Sequence, residues 1–183
     1  MILKNMLFIM AFLWAFNAYA IENKDEKATR EASLLVREYA FESDGNIKIK
    51  IINNLSSLFE SNQDNSNVVR VYSGVLSSRG EYKKTIAVLE SFNRKHKDAS
   101  LLLHECMLKD RIGNYEPSCY KKVISLKKTN GVNDIDYLMA LFMISDKTFN
   151  REKNLYMKGR DDNDDLKVFN TKKENLLKIL YPD

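Results

Sequence analysis

The fold is decided by residues 68–92, which read VVRVYSGVLSSRGEYKKTIAVLESF. Apolar residues recur with helical spacing on both sides of Gly80, which predicts two helices joined by a tight turn. We expect Gly80 to end the first helix in the left-handed conformation and Tyr82 to open the apolar face of the second. The same Gly-x-Tyr arrangement recurs at Gly113 and Tyr115, 33 residues later. The spacing therefore predicts an internal repeat of helical hairpins.

Helical spacing of apolar residues extends along most of the chain. Around residues 47–51, isoleucines alternate with lysines as in a strand, but no partner strand is evident elsewhere, which favours a helix. Residues 61–67 form a polar linker, and either Asn133 or Asp134 is placed to cap a helix. The predicted helices cover about residues 25–41, then residues 51–59, 68–76, 82–92, 102–107, 115–126 and 135–142, and a last short helix lies within residues 168–180.

Residues 67–98 resemble the tetratricopeptide repeat (TPR), a helix-turn-helix unit with a period of about 34 residues. The positions that match are Val69, Tyr72, Ser73 and Leu76 in the first helix, Gly80, Glu81 and Tyr82 in the turn, and Ile86 and Leu89 in the second helix. The next unit, residues 99–129, matches through Leu102, Cys106, Gly113, Asn114 and Tyr115. In that unit Glu105, Lys109 and Lys122 stand where the family carries apolar residues. A third, weaker match to the turn lies at residues 44–47.

This resemblance implies an all-α fold, a short α-solenoid of antiparallel helical hairpins, with a surface that binds peptides or proteins. Tyr72 and Tyr120 are the aromatic candidates for contact with a partner, while Tyr82 and Tyr115 are expected to be half-buried packing residues. An unrelated helical bundle with accidental Gly-x-Tyr spacing is the alternative. In both cases we expect the apolar stripes to pack in the protein core rather than to form a binding surface.

The N-terminus, residues 1–20, has the pattern of a secretory signal peptide that is cleaved. Lys4 supplies the positive start, residues 6–16 are an unbroken apolar run, and Ala18-Tyr19-Ala20 is the small-x-small motif that signal peptidases accept. A helix of that run would span about 16 Å, too short for a hydrocarbon core of about 30 Å, which disfavours an uncleaved anchor. We therefore expect a periplasmic or secreted product that begins near Ile21 and has no stable membrane insertion after cleavage.

Cys106 and Cys119 are the two cysteines of the chain. In an oxidising compartment an even pair is usually a disulfide. In the repeat register Cys106 lies late in one helix and Cys119 early in the next, and the turn at Gly113 brings these faces together. We predict a structural disulfide, with two free buried thiols as the alternative.

The sequence gives little support for metal or cofactor binding. His104 and Cys106 begin a metal-ligand pattern near His96, but no second cluster completes it. The acidic run at residues 161–165 imitates the start of a calcium loop and departs from it at Leu166 and Lys172. We expect no metal and no cofactor.

The sequence also gives little support for catalysis or nucleic-acid binding. Enzyme signatures such as G-x-S-x-G and H-E-x-x-H are missing from the sequence, so we expect no enzyme activity. Removal of Lys4 with the signal leaves a mild positive charge, 28 basic against 25 acidic residues, which argues against nucleic-acid binding.

The expected organisation is a signal peptide at residues 1–20, a TPR-like helical domain at residues 21–158, and an acidic loop with a C-terminal helix at residues 159–183. The function that fits this format is an exported, non-enzymatic protein-binding module. The first hypothesis is a periplasmic immunity-type protein that neutralises a secreted toxin or effector, and the second is an adaptor for an envelope assembly. A cell-wall or lipid hydrolase that uses paired carboxylates is the third hypothesis. The sequence does not indicate an oligomeric state.

Overall fold

The structure, a computed structural model, describes residues 24–158, 160 and 164–182. These residues form helices joined by turns and contain no β-strand. The expected signal peptide lies outside the described residues, as do residues 161–163 of the acidic run. The elements are α1 (residues 24–41), α2 (Gly45–Glu60), α3 (Ser66–Ser78), α4 (Tyr82–Asn93), α5 (Ala99–Arg111), α6 (Pro117–Thr129), α7 (Ile135–Met143), α8 (Phe149–Met157), a 3-10 helix (Asp164–Asn170) and α9 (Lys173–Leu180).

The ambiguous isoleucine-lysine stretch is helical, as predicted. Asp44 caps α2, because its Oδ1 accepts hydrogen bonds from the N–H groups of Asn46 and Ile47 at 2.7 and 3.2 Å. Gly45 is therefore the first residue of a helix, so the third, weaker match to the repeat turn was wrong. Asp134 likewise caps α7, where its Oδ1 accepts from the N–H of Tyr137 at 3.0 Å.

The turns at Gly80 and Gly113 have the geometry that the repeat predicts. Both glycines have positive φ, 74° and 90°. Each closes its helix with two backbone bonds: Gly80 N–H donates to Ser77 and Glu81 N–H to Leu76, and the matching pair recurs one repeat later. This is the Schellman motif, which favours glycine because a side chain is strained there. Gly131 ends α6 in the same way, a turn that the sequence analysis missed.

Helix α8 was also not predicted. Of its nine residues, FNREKNLYM, only Tyr156 is buried, so the apolar stripe that marks the other helices is nearly missing. A short polar helix of this kind is stabilised by packing on its neighbour, here α7, rather than by its own amphipathic pattern.

The chain divides into two compact units at Tyr72, within α3. The first unit, up to Tyr72, has a small core in which Ala28 and Ala32 of α1 meet Val68 of α3. Residues 164–182 lie in the second unit. The expected division into a TPR-like domain at residues 21–158 and an acidic loop with a C-terminal helix at residues 159–183 stays a prediction.

The second unit consists of helical hairpins packed in sequence order. Contacts join α4 to α5, α5 to α6, α6 to α7 and α7 to α8, and α5 also reaches α7, which is the packing of a helical repeat solenoid. The connections at residues 94–98, 112–116, 130–134 and 144–148 are short, so neighbouring helices run antiparallel. The 3-10 helix packs on α7 and α9 on α5, and both bury apolar residues in the same core. The predicted all-α hairpin architecture is confirmed.

Candidate functional site

The predicted disulfide is present at the centre of the α5–α6 hairpin. The sulfurs of Cys106 and Cys119 lie 1.99 Å apart and their Cα atoms 5.7 Å apart. Both residues are buried in the core of the second unit. The bridge therefore links the two helices that carry the residues described below.

Neither predicted partner-binding tyrosine lies on the surface. Tyr72 is 2% exposed, stacks on Phe59 with ring centroids 4.8 Å apart, and shares a 3.1 Å hydrogen bond with Ser56. Tyr120 is fully buried and donates to Asp110 Oδ2 at 3.1 Å. Because a buried ring cannot contact a partner, both residues are corrected to core positions.

The two repeat-turn tyrosines have different environments although they occupy equivalent positions. Tyr82 is half-buried at the start of α4 and contacts Tyr181 near the chain end. Tyr115 is 46% exposed, more than expected, and its hydroxyl reaches the carbonyl of Met143 at 3.4 Å. The sequence repeat therefore fixes the turn geometry but not the neighbours of the tyrosine.

An open cleft of about 570 Å³ lies between α4, α5 and α6. Charged side chains dominate its lining, and Leu102 and Leu126 supply the apolar part. The complete lining consists of Glu90, Asn93, Arg94, His96, Lys97, Asp98, Leu102, Glu105, Lys122, Ser125 and Leu126. All of these residues belong to the second unit.

The floor of the cleft is a buried ion-pair network. Lys109 Nζ lies 2.7 Å from Glu105 and 2.8 Å from Glu90, and Asn93 donates to the other oxygen of Glu105 at 2.8 Å. Burial alone would lower the pKa of Lys109, but its bonds to Glu105 and Glu90 outweigh that effect and raise the pKa well above its ordinary value. One lysine thus pairs with two carboxylates, and the floor keeps a net charge of about −1.

The rim of the cleft carries a different charge balance. Arg94, Lys97 and Lys122 are exposed, and within the described residues none of them takes part in an ion pair. The one remaining acidic residue of the lining, Asp98, caps α5 by accepting from the N–H groups of Ser100 and Leu101. The rim therefore presents to solvent three cations that have no ion-pair partner among the described residues.

Sequence reasoning did not identify this cleft, although a signal was present. Glu105, Lys109 and Lys122 are the positions where the second repeat unit departs from the apolar pattern of the TPR family. Two of them line the cleft and the third holds its floor together. Local rules tend to fail where a site is built, so these mismatches are the signal that could have located it.

A second polar cluster joins α5, α6 and α7. Lys127 Nζ lies 2.6 Å from Asp134, 3.1 Å from Asp136 and 3.5 Å from Ser100 Oγ, and Ser100 donates a hydrogen bond to Asp136. A serine beside a lysine resembles a nucleophile with its base, but a base must be neutral to accept a proton. Burial acts to lower the pKa of Lys127, and the hydrogen bonds to the two aspartates outweigh it and raise the pKa. The lysine is therefore a charged structural link.

The residues considered as metal ligands have other contacts. The ring of His96 stacks on Phe92 and that of His104 on Tyr181, with centroids 4.3 and 5.8 Å apart, and Cys106 is in the disulfide. Of the acidic run only Asp164 and Asp165 are described, and they contact Lys167 and Tyr156. Across the part of the chain that the structure describes, no group of three or more His, Cys, Asp or Glu side chains is placed to hold a metal ion.

Comparisons with family models, curated proteins and solved structures give no match to this chain. In the described helices, no segment has both the length and the apolar character needed to cross a bilayer. Because one fold hosts many activities, the function has to be argued from the cleft and its charges.

Proposed function

We propose that the mature chain is an exported, non-enzymatic protein-binding module of the immunity type, which holds an acidic segment of its partner in the α4–α6 cleft. The signal-peptide pattern of residues 1–20 supports export. The resemblance to TPR units and the hairpin packing of the second unit support a binding role. The immunity role rests on format, since small size, export and one disulfide suit an inhibitor that must stay folded outside the cytoplasm.

The exposed cations on the cleft rim carry this proposal. Glu90 and Glu105 are held by Lys109, and Asp98 is held by the N-terminus of α5. The exposed side chains of Arg94, Lys97 and Lys122, in contrast, have no ion-pair partner among the described residues and can pair with a partner. Complementary charge increases the rate of association and discriminates against wrong partners. A partner with a cluster of carboxylates therefore fits this surface best.

The site is also preorganised for binding. The helix that supplies Lys122 is bridged to α5 by the disulfide, and the floor residues are held by the ion-pair network. A surface that is rigid before binding loses less conformational entropy when the complex forms. The residues of the cleft therefore need little conformational rearrangement when a partner binds.

The experiment is a pull-down of the tagged mature chain from a periplasmic extract, analysed by mass spectrometry. We expect one stoichiometric partner, with at least tenfold weaker capture by the Lys97→Glu/Lys122→Glu variant. The matched control is Lys121→Glu, an exposed neighbour on α6 that does not line the cleft. Recovery of general chaperones alone, or equal loss of capture in the control, would contradict the proposal.

Growth of cells that export the captured partner separates immunity from an adaptor role. For an immunity pair, the partner alone arrests growth and co-export of this chain restores it. The Lys97→Glu/Lys122→Glu variant should fail to restore growth, whereas Lys121→Glu should succeed. A partner that is harmless when exported alone would remove the immunity role and leave the adaptor.

A further inference from the structure

We propose that Tyr82, His104 and Arg111 form a second peptide-binding surface, which residues 181 and 182 of the same chain occupy in cis. This surface, called here the terminal face, lies where α4 and α5 meet α9. It shares no residue with the α4–α6 cleft, so it is independent of the partner proposed for that cleft. Its ligand is an extended segment with an aromatic side chain.

The terminal face holds the main chain of residues 181 and 182 through side-chain donors. Arg111 Nε donates to the carbonyl oxygen of Tyr181 at 2.7 Å, and the hydroxyl of Tyr82 donates to the carbonyl oxygen of Pro182. Two side chains of the hairpins thus hold two successive backbone carbonyls. Every residue has a carbonyl, so these two donors can hold other peptide segments equally well.

The terminal face also has a slot for an aromatic ring. The ring of Tyr181 stacks on His104 at 5.8 Å with an interplanar angle of 11°, and it meets the edge of Tyr82 at 6.1 Å. The guanidinium of Arg111 lies 5.8 Å from the centre of the Tyr82 ring and fixes the second wall. These contacts favour a flat aromatic side chain between the two walls.

Residues 181 and 182 lie beyond the part of α9 that is anchored in the core. Leu176 and Leu177 anchor α9, with 2% and 5% of their surface exposed. After these residues the end of α9 faces solvent, since Ile179 and Leu180 are 69% and 45% exposed. Beyond this anchor Tyr181 is partly buried against the same core and Pro182 is exposed. A competing peptide therefore has to displace these two residues. A site that is occupied in cis shows a weaker apparent affinity for a ligand in trans, in proportion to its occupancy.

The test measures binding of a fluorescein-labelled synthetic peptide with the sequence of residues 178–183, KILYPD, to full-length protein by fluorescence anisotropy. We expect the Tyr181→Ala chain to bind the peptide at least tenfold more tightly than the unaltered chain, because its terminal face is vacated. The Tyr181→Leu chain, which keeps apolar bulk but loses the ring, should fall between the two. The matched control is Lys178→Ala on the exposed side of α9, which should bind like the unaltered chain.

Two further measurements assign the binding to the terminal face. Adding Arg111→Met to the Tyr181→Ala chain should abolish the gain in affinity, and a peptide with alanine in place of its tyrosine should bind no variant. Equal affinity of the unaltered and Tyr181→Ala chains would overturn the proposal. Unfolding of both Tyr181 variants, judged by circular dichroism, would overturn it as well, because the terminal residues would then be part of the fold and not a displaceable ligand.

Discussion

Ser145 ends α7 in the left-handed backbone conformation that glycines adopt at the ends of other helices. Its φ is 52°, and within the described residues it is the one non-glycine position with positive φ. Ser145 N–H donates to Phe142 and Asp146 N–H to Leu141, which is the pair of bonds seen at Gly80, Gly113 and Gly131. A side chain in the left-handed region is strained by roughly 1–2 kcal/mol. Ser145 is thus a site of local backbone strain in the second unit.

Replacement of Ser145 by glycine should therefore stabilise the protein by about 1 kcal/mol, because the strain of the side chain disappears. The matched control is Ser145→Ala, which keeps the strain and, like the glycine variant, loses the hydroxyl that Lys173 contacts. Urea unfolding of the three proteins gives the free energies of unfolding. A glycine variant no more stable than the alanine variant would contradict this account.

Lys109 gives a prediction that depends on pH. Its raised pKa means that its stabilising effect is complete below the ordinary lysine value of 10.5 and is lost only above it, so the wild type shows no change from this group between pH 5 and 9. In Lys109→Met, Glu105 stays buried without its cation, and the loss at pH 7 should be about 3 kcal/mol. The loss should be smaller at pH 4 than at pH 7, because acid reduces the negative charge on carboxylates and with it the cost of a carboxylate without its cation.

The double variant Glu105→Gln/Lys109→Met is the control for this interpretation. Glutamine keeps an acceptor for Asn93, whose amide donates to Glu105, but carries no charge. Most of the stability at pH 7 should therefore return, and the pH dependence should vanish. Thermal unfolding of the three proteins at pH 4 and pH 7 measures both effects, and a pH-independent loss in Lys109→Met would count against a charge mechanism.

At the scale of elements, the disulfide closes the α5–α6 hairpin across a separation of 13 residues. In the chain-entropy model a loop of this size stabilises the folded state by about 3 kcal/mol. The Cys106→Ala/Cys119→Ala variant should lose about that amount in urea unfolding. Reduction of the wild type with dithiothreitol supplies the control, since it opens the bridge without a change of sequence and should give a similar loss. A loss below about 1 kcal/mol in both would show that the bridge is not a main constraint.

The elements differ in how far the sequence predicted them. The turns at Gly80 and Gly113 could be predicted because only glycine is unstrained at such positions. The cap of α7 could be predicted because the side chain of Asp134 bonds to the first turn of its own helix. These are local effects. Helix α8 escaped prediction because its one buried residue, Tyr156, gives no periodicity.

The candidate site was harder to predict than the helices. Tyr72 and Tyr120 were assigned to the surface, but their exposure depends on which helices pack against them, and one sequence does not contain that information. Glu105, Lys109 and Lys122 could be recognised only as misfits in the repeat. Their pairing with Glu90 and Asn93 needs the packing of α4 on α5, which is a tertiary contact.

At the scale of the whole molecule, the second unit carries two separate surfaces. The α4–α6 cleft and the terminal face share α5 but use different sides of it, through Leu102 and Glu105 on one side and His104 and Arg111 on the other. A partner in the cleft and a peptide on the terminal face can thus bind through different residues of one helix. Both surfaces depend on the disulfide-linked hairpin, and the bridge depends in turn on the compartment in which the chain folds.

The last prediction concerns that compartment. If residues 1–20 direct export, the protein recovered from the periplasm should begin at Ile21, and its mass should correspond to a closed disulfide. A chain produced from residue 21 without the leader should remain in the reducing cytoplasm with both thiols open to alkylation.

Ala20→Arg should block cleavage, because signal peptidase requires a small residue there, whereas Tyr19→Gln at the tolerant middle position should be processed normally. Intact-mass spectrometry of fractionated cells, with and without alkylation, measures all four proteins. Recovery of the full chain in the cytoplasm with residues 1–20 still attached would refute the export prediction and, with it, the oxidising environment from which the bridge was expected.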